Sequence, residues 1–117
     1  MTLKKSPYQL VDTTAVTMHV HEDTVTSKTL QVTITNHTAD EFVYGVGYEL
    51  EVYEQGAWYT IDNGRSAVIL LALMLPPYAT TTEDIDWLHA YGSLAPGTYR
   101  LVKLIGPHRV AAVFIIV

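Results

Sequence analysis

Thr29-Leu30-Gln31-Val32-Thr33-Ile34-Thr35 alternates without a fault, with Leu30, Val32 and Ile34 on one parity and Thr29, Gln31, Thr33 and Thr35 on the other. Successive side chains of an extended chain project to opposite faces, so the segment predicts a strand with one dry face and one wet face. Upstream, Thr14, Val16, Met18 and Val20 alternate with Ala15, Thr17 and His19. Downstream, Phe42, Tyr44, Val46, Tyr48, Leu50 and Val52 share one parity against Val43, Gly45, Gly47, Glu49, Glu51 and Tyr53. Gly45 and Gly47 weaken a strand interior unless they serve a bulge, a sharp twist or a close backbone approach, and a bend is expected there.

Glu54-Gln55-Gly56 supplies a turn and Ala57–Asp62 returns, so residues 42–62 read as a hairpin. Asp62-Asn63-Gly64 is a further turn signal. Thr-rich Tyr78–Trp87 reads as a strand with much exposed surface, and Thr98–Ile105 with Arg109–Val117 as a final hairpin around Gly106-Pro107. The unbroken apolar run Ala67–Leu75, stopped by Pro76-Pro77, fits either a strand buried on both faces or a piece of buried helix. About seven strands at regular turn spacing, with no convincing helix, predict an all-β sandwich of two sheets. Residues 1–13 lack alternation and are expected as a flexible lead-in to a single domain at 14–117.

Composition agrees. Thr, Val, Ile and Tyr, the residues suited to a pleated, half-buried surface, supply 43 of the 117 positions. Apolar residues at 49% against 16% charged are enough to bury one core. Twelve acids against seven scattered bases give a net charge of −5, which argues against nucleic acid as a partner, since phosphate binding needs clustered cations. With no cysteine there is no disulfide framework, thiolate nucleophile or sulfur-ligated zinc site. The longest apolar run falls well short of the roughly 20 residues a membrane helix needs. MTLKKSPYQL has two lysines without an apolar stretch behind them, so no signal peptide is expected within these residues.

Few residues suggest chemistry. His19 and His21 share a strand face opposite Val16, Met18 and Val20, and could share a metal if Glu22, Asp23 or another strand supplied a third ligand. An exposed face that happens to hold two histidines is the simpler account, and no metal or other cofactor is expected. Glu83, Asp84 and Asp86, like Asp12, Glu22 and Asp23, lack the spacing of a calcium loop and read as solvated acids along a strand edge. Glu49 and Glu51 lie about 7 Å apart along one face, but an open sheet holds neither carboxyl neutral as glycoside hydrolysis requires, and no nucleophile turn is present. No enzyme is expected.

The best ligand-facing patch is Tyr53 and Tyr59, assigned by parity to the face away from the core, with Glu49 and Glu51 beside them. Cross-strand aromatic packing explains the same pair without a ligand. Trp58 and Trp87 are assigned to the core or to corners. Lys103 interrupts the apolar parity of its strand, so either a bulge shifts the phase or its stem is buried with the ammonium at the surface. Arg109–Val117 is apolar on both parities and calls for a cover, which the chain's own 67–75 segment, a second copy or a neighbouring domain could provide.

Leu94-Ala95-Pro96-Gly97-Thr98-Tyr99 has the form L-x-P-G-x-Y at the entry to a late strand. It resembles the tyrosine corner of immunoglobulin-like sandwiches, in which the hydroxyl bonds a backbone group a few residues upstream. Together with Gly56-Ala57-Trp58-Tyr59, Asp86-Trp87, Tyr91-Gly92, Arg100 and Lys103, the pattern is similar to the bacterial immunoglobulin-like domains of Gram-positive secreted and cell-envelope proteins. The resemblance implies an immunoglobulin-like antiparallel β-sandwich outside the cytoplasm, with Leu94, Pro96, Gly97 and Tyr99 as its structural corner and no catalytic residues to carry across. The expected role is a spacer or a module binding another protein or cell-wall glycan. Where the chain's own 67–75 segment does not cover it, strand 110–117 is the expected contact for a homodimer or adjoining domain. The alternatives are an exported peptidase inhibitor presenting loops 36–41, 62–66 and 88–97, and a carbohydrate-binding module.

Overall fold

The computed structural model describes residues 2–7, 14–62 and 72–117. Among them are ten strands: β1 (Thr2–Lys5), β2 (Val16–His21), β3 (Thr29–Asn36), β4 (Phe42–Gly45), β5 (Glu49–Glu54), β6 (Ala57–Asp62), β7 (Ala72–Leu75), β8 (Thr80–Asp86), β9 (Gly97–Ile105) and β10 (His108–Ile116). A 3-10 turn at Glu22–Thr24 and a single helical turn, α1 (Leu88–Tyr91), are the other regular elements of the described residues. All recorded pairings are antiparallel. The small sheet runs β2-β3-β8, with the alternating segment at its centre.

The large sheet is organised by β9. One of its edges pairs with β10 along the whole strand, and the other is shared by β5, from Glu49↔Val102 to Val52↔Tyr99, and β4, at Tyr44↔Ile105. Beyond them β6 and β1 extend β5, while β7 extends β4. This division needs the bend expected between Phe42 and Tyr53: β4 ends at Gly45, β5 begins at Glu49, and the inward parity of Tyr44, Leu50 and Val52 survives the break.

The facing sheets bury two apolar clusters. The larger holds Trp87, Tyr99 and Phe114, with the Phe114 ring 5.8 Å from each of the other two, so that the three tie the end of β8 to β9 and β10. The smaller gathers Val16, Ile34, Phe42, Leu75, Ile105 and Val110. Between them lies a polar layer. Lys103 faces inward between Leu101 and Ile105, its Nζ 3.1 Å from Glu83 Oε1 and 5.6 Å from the centre of the Tyr44 ring. Tyr44 hydrogen-bonds the Thr81 side chain, and burial together with the nearby Glu83 carboxylate raises its pKa above the usual phenol value. The ion pair meets the distance but not the angle of a hydrogen bond, so charge attraction rather than donor geometry holds it.

Several expectations are corrected here. Thr2–Lys5, assigned to a flexible lead-in, pairs with β6 from Thr2↔Asp62 to Lys5↔Tyr59, because main-chain bonding to an open sheet edge requires no side-chain alternation. Lys103 follows neither reading. The β9–β10 register is unbroken, and the ammonium is sealed between the sheets because Glu83 meets it there. Glu83 accordingly points inward with Thr81 and Ile85, and of the three acids expected on a wet edge only Asp84 and Asp86 are exposed. Ala72–Leu75 is a strand, while residues 67–71 and the turn signal Asn63-Gly64 lie outside the described residues. Val113 and Ile115 stand open at 55% and 61% exposure, so the outer face of β10 is uncovered at those positions.

Two glycines are required by geometry. Gly106 opens the β9–β10 hairpin at φ +56°, and a Cβ there would lie 2.8 Å from the Phe42 ring. Gly56 follows Gln55 in the β5–β6 turn with both φ values positive, 80° and 50°, as a two-residue turn between twisted strands requires.

Candidate functional site

That turn decides which aromatic residues meet. With only Gln55 and Gly56 in the loop, Glu54 pairs with Ala57, Tyr53 with Trp58 and Val52 with Tyr59. Directly opposed residues share a face, so Tyr59 goes inward against the larger cluster and Trp58 comes out beside Tyr53. The expected Tyr53–Tyr59 pair is thus corrected to Tyr53–Trp58, and Trp58, assigned to the core or a corner, stands instead on the outer face. In sequence Glu54-Gln55-Gly56 reads as the turn, and one residue of loop length inverts every facing in the returning strand. Trp87 does lie in the core, fully buried, with its Nε1 donating to Ser27 O at 2.9 Å.

The Tyr53 and Trp58 rings stand 5.1 Å apart at 60° on the outer face of the large sheet, with Tyr53 46% exposed. Behind Trp58 is an ionic base. Arg100 Cζ lies 4.6 Å from the centre of the indole ring, and its Nε and Nη2 both reach Glu51 Oε1. Thr60 Oγ1 donates to Glu51 Oε2 at 2.7 Å, and Arg100 Nη2 also reaches Ser6 Oγ at 3.2 Å, just beyond β1. Glu51 and Arg100 are 0% and 2% exposed. The expectation that Glu51 sits on an open, wet face is therefore corrected: strand pairing sets Glu51 opposite both Arg100 and Thr60, and the three bond to one another.

This arrangement engages its carboxylate internally and presents its aromatic rings outward. Both Glu51 oxygens are engaged and closed to solvent, so Glu49 and Glu51 do not form a pair of carboxyls open to a substrate. What the ion pair does is hold the indole from beneath by cation–π contact, leaving a stiff aromatic surface.

The other candidates disperse. His19 and His21 project from β2 with ring centroids 5.8 Å apart, and among the described residues no group of three metal-ligating side chains forms around them. Glu22 and Asp23, suggested as a third ligand, belong to the exposed 3-10 turn that follows. Loops 36–41 and 88–97 lie at opposite ends of β3. Asn36 binds the first through Asp40 O and Thr38 N, whereas Leu94 N bonds Ser27 O at the other end. They do not form one protease-facing edge, and residues 63–66 of the third loop fall outside the described residues.

At the entry to β9, Leu94 is buried, Pro96 is exposed, and the Tyr99 hydroxyl donates to Ala95 O at 2.6 Å. Gly97 lies against the Tyr99 ring, which a Cβ would meet at 3.4 Å. Burial raises the Tyr99 pKa, with the Glu54 carboxylate adding to it. No helix among the described residues is long and apolar enough to cross a membrane.

Comparison with curated proteins finds no match. The family model described as bacterial Ig-like domain matches residues 12–115, nearly the whole sandwich and the strands that carry Tyr53, Trp58 and Tyr99. Domains of this kind are typically non-catalytic. The chain belongs to the bacterial Ig-like domain family.

Proposed function

We propose that this domain is a non-catalytic binding module of a secreted or cell-envelope protein of a Gram-positive bacterium, and that Tyr53 and Trp58 are its contact residues for cell-wall glycan. The supporting observation is the exposed aromatic pair backed by the buried Arg100–Glu51 base. Sugar rings present C–H faces that pack on aromatic surfaces, and a ring already held in place loses little entropy on binding. The hydroxyl bond from Tyr99 to Ala95, with Leu94, Pro96 and Gly97, takes the part of the tyrosine corner that secures the scaffold.

Titration with soluble cell-wall glycan fragments while recording tryptophan emission tests this reading. Trp87 is fully buried, so a change in emission reports Trp58. The expected result is a saturable shift that Tyr53→Ala abolishes. An unchanged spectrum, or an equal shift in Tyr53→Ala, overturns the reading. The outer face of 110–117 is a second contact surface, for a copy of the chain or an adjoining domain, supported by the exposure of Val113 and Ile115. Sedimentation of the domain over a hundredfold concentration range separates the two partners.

A further inference from the structure

The outer face of the small sheet contains an arrangement that the glycan reading does not use. We propose that His19 and His21 form a chelating site for one divalent transition-metal ion, with water completing the coordination.

Two imidazoles that each give one nitrogen to the same ion, at metal–nitrogen distances of about 2.0–2.1 Å, have ring centroids roughly 5.2 Å apart at a tetrahedral angle and roughly 6.4 Å apart when linear. The observed separation is 5.8 Å, inside that window, with the rings inclined at 65°. The two residues stand two apart on one strand, so the β2 backbone supplies this spacing without help from a loop.

The surroundings fit a ligand imidazole. His21 Nε2 lies 2.6 Å from Thr33 Oγ1, and Thr33 Oγ1 lies 3.1 Å from Thr82 Oγ1. A proton on Nε2 donated to Thr33, with Thr33 donating on to Thr82, turns the Nδ1 lone pair of His21 free for the metal. Metal-bound histidines are characteristically oriented by such a bond on the other ring nitrogen. The face also suits a cation. Strands β2, β3 and β8 contain no lysine or arginine, Gln31 Nε2 bonds Asp84 Oδ1 at 3.1 Å beside His21, and at the end of the sheet where β2 and β8 finish and β3 begins, Asp86, Glu22 and Asp23 outnumber the exposed Lys28. No third side chain of suitable type joins them among the described residues, which makes this an open site with exchangeable water positions rather than a closed structural one. Imidazole ligands without thiolate suit nickel, copper or zinc in preference to calcium or magnesium.

Nickel(II) is a suitable probe, because its paramagnetism broadens the NMR signals of nearby amides and so reports position as well as affinity. Saturable broadening centred on residues 18–21 and Thr33 is expected, with His19→Gln and His21→Gln each weakening half-saturation about a hundredfold through loss of the intramolecular second contact. Thr33→Val, which removes only the orienting bond, weakens it about tenfold. His37→Gln, a histidine on the same sheet face tied to Thr17 Oγ1 at 2.8 Å, leaves it unchanged. Broadening centred elsewhere, or single variants that bind as tightly as the parent chain, overturns the proposal. The substituted side chains project from the sheet, and unchanged near-ultraviolet circular dichroism confirms that any loss is not a loss of fold.

Discussion

Replacing Glu83 by Leu leaves the Lys103 ammonium, fully buried between the sheets, with no opposing charge. Removing one partner of a buried pair typically costs about 3–5 kcal/mol, because the remaining charge keeps its desolvation penalty. The converse substitution, Lys103→Met, is milder. The Glu83 side chain is 16% exposed, so its carboxylate can turn to water, and the expected cost is about 1–3 kcal/mol. In Glu83→Leu/Lys103→Met both buried charges are replaced by apolar side chains that join the two clusters, and stability returns to within about 1 kcal/mol of the parent or exceeds it. Urea unfolding at pH 7 measures all four proteins, and a domain of this size has a total stability of roughly 5–15 kcal/mol, so each difference is well resolved. Equal costs for the two single substitutions, or a double variant that loses their sum, would refute the claim that the pair is coupled and that its burial is unequal.

Two further outcomes follow from the same structure. Asn36, 1% exposed, donates through Nδ2 to Asp40 O, Leu75 O and Pro76 O and accepts at Oδ1 from Thr38 N and Oγ1, so Asn36→Ala costs about 2–4 kcal/mol. Thermal unfolding and proteolysis of residues 37–40 both detect it, and unchanged resistance at that loop would count against the network. Alkaline stability reports Tyr48, whose pKa is pushed up to about 12 by burial first and then by Tyr91 and Asp86. The raised value means that the unfolded chain ionises first, so stability is fully present below pH 10 and declines as pH rises through about 12, and Tyr48→Phe flattens that decline in denaturation at stepped pH.

Strand identities were legible because period-two alternation records burial directly, and β3 shows it most plainly: its inward residues are those with Leu30, Val32 and Ile34. The break at Gly45 and Gly47 was legible as well, since glycine inside a strand marks a place where the ladder is interrupted. The face of the return strand was not. Parity tells which residues travel together, but which set points inward depends on turn length, and the difference between two and three loop residues at Gln55-Gly56 exchanged Tyr59 for Trp58. Charged residues misled for a related reason. Glu51 and Glu83 read as exposed, and Lys103 as displaced by a bulge or keeping its ammonium at the surface, because a charge is expensive to bury alone, and the pairings Glu51–Arg100 and Glu83–Lys103 arise only from contacts distant in sequence. β1 carried no signal of its own, since it was recruited by the open edge of β6.

The layer formed by Lys103, Glu83, Tyr44 and Thr81 divides the interior into two compartments of unequal size. Strands β3 and β9 cross both, whereas β4 and β7 contribute to the smaller compartment alone. Hydrogen exchange should therefore be graded: amides of β4 and β7 open in sub-global events, while those at the centres of β3 and β9 exchange only when the whole sandwich comes apart. A pulling force or a neighbouring domain attached near β7 would then meet a part able to yield first, with the Tyr53–Trp58 end still intact.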